Sequence, residues 1–72
     1  MRKWVDVTEG MRSWFAVMMW WNPDLGGFWE PWDTSPLSFA TREGAESDGQ
    51  SWSRDEGVPF GQPPARPPKE SE

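Results

Sequence analysis

Cysteine, histidine and tyrosine are all missing from this chain. Without cysteine there is no disulfide and no thiolate metal site. Without histidine the commonest metal ligand and the commonest general base are gone. Positive charge is scarce, with seven Lys and Arg against twelve Asp and Glu and a net charge of −5. Nucleic acid is therefore not an expected partner, because its binding draws on phosphate neutralisation. Long hydrophobic runs are absent too. The longest, Trp14 to Trp21 (WFAVMMWW), would span roughly 12 Å as a helix, against the ~20 residues a hydrocarbon core needs. Nor does it read as a signal peptide. Arg2 and Lys3 resemble a basic n-region, but Asp6 and Glu9 interrupt the apolar stretch and no small-x-small cleavage site follows. These features point to the cytoplasm, or to the cytoplasmic surface of a membrane, without a transmembrane span.

Length is short as well. A chain of 72 residues is at most one small domain. At that size folding buries only about 60% of the unfolded surface. Below roughly 70–80 residues a lone core rarely supplies more than ~3–5 kcal/mol, so disulfides, metals or partners make up the rest. A partner is the support this composition favours.

What the chain does have is tryptophan, seven residues of it, with four Phe. Indole combines a large apolar ring with one N–H donor and is enriched at protein interfaces and membrane–water boundaries. Composition divides the chain into three regions. Residues 1–22 form a Trp/Met-rich segment, residues 23–43 mix aromatics with Pro and Gly, and residues 44–72 are polar with five of the eight prolines.

The spacing of Trp4, Val7, Met11, Trp14, Met18 and Trp21 alternates threes and fours, which predicts an amphipathic helix over about 3–21. Asn22-Pro23 stops it, and Asn22 to Gly27 reads as a Pro/Gly turn. Phe28-Trp29-Glu30-Pro31-Trp32 reads as an extended aromatic segment; polyproline-like geometry would put Trp29 and Trp32 on one side. A short helix over about 36–43 would take Ser35 as its N-cap and close at Gly44. Residues 44–72 show no apolar period and read as an extended or disordered tail. The expected fold class is thus mainly α and irregular.

No catalytic constellation stands out. Asp24, Glu30 and Asp33 flank the aromatic region, but paired acids need a pocket to act on a substrate. No acids have the alternating spacing of a Ca²⁺ loop. The expectation is a non-enzyme with no cofactor and no metal. Pro64-x-x-Pro67-x-Lys69, within PPARPPK, resembles a PxxP ligand for SH3-type grooves, weighed against a plain solvated tail. Trp32 and Trp52 are spaced roughly as in a WW domain, yet the residues between them lack that family's strand pattern, aromatic pair and His. The short aromatic run is similar to that of light-harvesting polypeptides, but the pigment-ligating His and the full span they need are missing, so no site is carried across.

The functional expectation is a small accessory or docking subunit of a larger protein complex. It would bury Trp4, Met11, Trp14, Phe15, Met18, Trp20, Trp21, Trp29 and Trp32 against its partner, with a membrane surface as a further candidate. The alternatives are a small acidic soluble inhibitor of an enzyme, or an arbitrary reading frame without selected function.

Overall fold

The computed structural model, which describes residues 3–64, replaces the expected N-terminal helix with a β-hairpin. Strand β1 (Lys3–Glu9) pairs antiparallel with β2 (Trp14–Asn22), from Lys3 opposite Trp20 to Glu9 opposite Trp14. The reason lies in residues that a spacing of three and four passes over. β1 alternates Lys3, Val5, Val7 with Trp4, Asp6, Thr8, and β2 is rich in Trp, Phe and Val, which suit a pleated surface. A run apolar at every position, as in β2, fits a central strand covered on both faces as well as it fits a buried helix. Between them, the Gly10 amide donates to the Ser13 carbonyl at 2.8 Å, and Arg12 takes a left-handed φ of 67° to close the loop.

Asn22 ends β2 as an Asx turn, its Oδ1 accepting from the Asp24 amide at 2.9 Å. A 3-10 turn, Asp24–Gly26, follows. Gly27, at φ 95°, then brings bare backbone against the Trp21 ring, where a Cβ would fall 2.1 Å from Cζ2. The aromatic segment is β3 (Phe28–Thr34), paired antiparallel with β2 to give the order β1-β2-β3. It is an edge strand, which is where a proline such as Pro31 is tolerated. The register jumps from Met19 opposite Pro31 to Met18 opposite Asp33, so Trp32 is the extra residue of a β-bulge.

The polar region holds the one α-helix of the described residues, α1 (Arg42–Glu56). It overturns both the helix expected over 36–43 and the extended tail expected from residue 44. Thr41, not Ser35, is the N-cap, its Oγ1 accepting from the Gly44 amide at 3.2 Å. Gly57 ends the helix in the left-handed region, with its amide donating to Arg54 O and the Val58 amide to Ser53 O, a Schellman closure. The buried face of α1 is a stripe of small residues, Ala45, Gly49 and Ser53. That stripe lets the helix sit close to the sheet. A Cβ on Gly49 would lie 2.6 Å from Phe60 Cε1 and 3.3 Å from Val5 Cγ1.

α1 packs on β1 and β2, over a core of Val5, Ala16 and Met18 with Trp52, Val58 and Phe60 packed around it. After α1 the chain returns along the outer edge of β1. The Val5 amide donates to Pro59 O at 2.9 Å, and the Gly61 amide donates to Val5 O at 2.8 Å. Two aspartates fold back on their own edge strands. Asp6 Oδ1 accepts from the Val7 amide and Asp33 Oδ1 accepts from the Thr34 amide, at 2.8 Å and 2.9 Å. The proline-rich motif from Ala65 onward lies outside the described residues. No helix among those described is long and apolar enough to cross a membrane.

Candidate binding surface on the open sheet face

Side chains of a strand point alternately to the two faces. The register therefore assigns Val5, Val7, Ala16 and Met18 to the face under α1. Trp4, Asp6, Thr8, Phe15, Val17, Met19, Trp21, Trp29, Pro31 and Thr34 fall on the other face. No second layer of secondary structure lies over that face among the described residues. A three-stranded sheet ordinarily hides one apolar face and wets the other with polar residues; here both faces are apolar.

The open face has two parts. At one end Trp4, Trp21 and Trp29 pack edge to face. Trp29 is 6.5 Å from Trp4 at 85° and 5.2 Å from Trp21 at 72°, the arrangement that ring quadrupoles favour. Their mutual cover buries Trp4 to 8% exposure. It also strands the Trp4 indole nitrogen, which is fully buried with no hydrogen-bond partner. An unmet buried donor costs about 1–3 kcal/mol. At the other end lies a groove of about 410 Å³, lined by Phe15, Val17, Met19 and Pro31 together with Asp6, Val7, Thr8 and Thr34 of the outer strands.

The face beneath the helix is also bare where α1 stops short of β3. There Trp32, 54% exposed, lies 6.0 Å from Trp20 at a tilt of 30°. Lys3 Nζ lies 4.2 Å from the centroid of the Trp32 ring. Trp20 Nε1 and Asn22 Nδ2 both donate to Glu30 Oε1 at 2.9 Å, so these polar groups are satisfied within the patch while the Trp32 ring stays open to solvent. A second hollow of about 460 Å³ between β3 and α1 has Asp33, Asp48 and Asp55 on its walls. Asp48 is engaged by the Ser35 hydroxyl at 2.7 Å. Among the described residues, no group of three or more acidic side chains is placed to hold a metal ion.

The residues expected to be buried together against a partner, from the helical seam and from the aromatic segment, are thus divided. Trp4, Phe15, Trp21 and Trp29 share the open face. Met18 is core, at 1% exposure. Trp14 lies near the start of α1, with the Arg42 guanidinium 5.7 Å from its ring. Trp20 and Trp32 stack on the helix side, away from Trp29. Met11 projects from the hairpin loop. Sequence reasoning missed Val17, Met19, Pro31 and Thr8. Their signal was the alternation Phe15, Val17, Met19, Trp21, in step with Trp4, Asp6, Thr8 across the hairpin. No family model, curated protein or solved structure matches this chain.

Proposed function

We propose that this chain is a non-catalytic docking module that buries its open, tryptophan-lined sheet face against a larger protein. The observation that carries this reading is the second apolar face, Trp4 to Pro31, with no layer of the described fold above it. Trp4 and Val17 are buried by their neighbours on this face, and Phe15, Met19, Trp21 and Trp29 are half-buried; a half-open apolar patch bordered by polar residues fits an interaction site. Trp clusters of this kind supply much of the binding energy where a partner excludes water. The acidic-inhibitor alternative relied on an extended acidic tail, and α1 occupies much of that region instead.

The test compares two surface variants in cells that make the protein. Met19→Asp charges the open face, and Leu37→Asp charges an exposed loop. A stoichiometric partner that co-purifies with the wild type and Leu37→Asp but is lost with Met19→Asp supports docking through this face. In that complex the indole fluorescence of Trp21 and Trp29 becomes inaccessible to acrylamide. Equal recovery with both variants removes the reading.

A further inference from the structure

We infer that the open sheet face of the free chain closes on a second copy of this chain, with the two sheets antiparallel, so that the indole end of each copy seats in the groove of the other. The dimer uses the face of the docking reading but goes beyond it, because no other protein is needed. Charge is the first argument. Each copy carries a net charge of −5, so two copies repel over most approaches. α1 presents five acids against Arg42 and Arg54, and the outer strands carry Asp6 and Asp33. Among the ten residues of the open face only Asp6 is charged, which makes this the approach of least repulsion.

Shape is the second. Register puts Trp21 beside Trp29 at one end of the face and Thr8 beside Phe15 at the other. The bulk sits at the first end. Val17 and Thr34 are short side chains and lie in the hollow of about 410 Å³ toward the second. A two-fold axis between the sheets and across the strands lays bulk over hollow twice, the self-complementarity that an isologous contact requires. Packed sheets interdigitate their facing side chains in this way. Area is the third. Outer strands of seven residues in a three-stranded sheet give a face of about 23 Å by 14 Å. With the relief of the rings, two copies bury about 1,000 Å² in total, the lower bound for a specific contact. The dimer is therefore a reversible one that a larger partner can displace.

Sedimentation of the full chain over a concentration series tests this. The mass rises from one copy to two, and added salt tightens the dimer, because screening weakens the repulsion between the copies. Met19→Asp weakens it about tenfold or more, with a thermal melt that stays cooperative, and Leu37→Asp leaves it unchanged. A single-copy mass up to about 1 mM, a dimer loosened by salt, or equal dimers in both variants overturns the proposal. A mixed sample reads the arrangement even if Met19→Asp fails to fold. One pool carries a nitroxide on Thr8→Cys, the sole thiol in that chain, and the other is isotope-labelled wild type. The Trp21 and Trp29 indole signals of the labelled pool lose more intensity than its Phe15 signals, and the Ala45 methyl is spared. Greater loss at Phe15, or uniform loss, overturns the antiparallel pairing. A larger protein captured by a chain that stays monomeric when free removes this inference alone; a dimer with no larger protein captured removes the docking reading alone.

Discussion

Trp4 combines a gain and a loss in one side chain. Its ring is buried among other indoles, while its nitrogen is stranded without an acceptor. Trp4→Phe keeps much of the ring burial and deletes the orphan donor. Its expected effect is small, within about 1 kcal/mol of the wild type. Trp4→Ala removes the ring and costs about 3–5 kcal/mol. Denaturant midpoints of the two variants check this, and a loss in Trp4→Phe as large as that in Trp4→Ala would overturn the expectation. Gly49 makes a second contrast at this scale. Alanine is the better helix former by about 1 kcal/mol. However, its Cβ would press on Phe60 at 2.6 Å, and overpacking costs about 1–3 kcal/mol. Gly49→Ala is therefore expected to lower the unfolding midpoint, and Gln50→Ala, exposed one position on, is not.

At the scale of elements, β2 decides between helix and strand. Neighbours in a strand meet opposite environments, so Met18→Asp and Met19→Asp should diverge sharply. A carboxylate at Met18 enters the core and abolishes cooperative folding, while one at Met19 lies on a half-open face and costs about 1 kcal/mol. Circular dichroism with a thermal melt separates them. The same strand explains how much was legible beforehand. Trp14 to Trp21 is apolar at every position, so a helical period and an alternation both fit it, and the arbitration lay in the partner strand. Val5 and Val7 on one side, with Asp6 and Thr8 on the other, carried a clear alternation that the heptad spacing of Trp4, Val7 and Met11 obscured. The turn at Asn22–Gly27 was readable because Pro and Gly fix it locally. α1 was hidden for the opposite reason. Its buried stripe is Ala45, Gly49 and Ser53, residues that register as polar or neutral in a hydropathy pattern. What makes them a core face is the bulk of Phe60 and Val5 opposite. The aromatic site was legible as composition, whereas its partition between two faces depended on register.

At the scale of the whole molecule, one small core joins three strands to one helix, so both should melt together. Far-UV dichroism and indole fluorescence are expected to trace a single urea transition, with a stability of about 3–5 kcal/mol. Separate midpoints would mean that α1 unfolds from the sheet on its own. The two aspartates that cap their own strands bear on how copies of the molecule meet. Unpaired amides on edge strands are templates for adding another strand. Asp6 and Asp33 occupy one such amide on each outer strand. Asp6→Leu is thus expected to raise turbidity at high protein concentration with little loss of stability, and unchanged light scattering would count against this role. Each lateral rim meets an approaching copy with a spent donor and a negative charge, which steers crowded molecules away from growing into ribbons and leaves the broad indole surface as the sticky one.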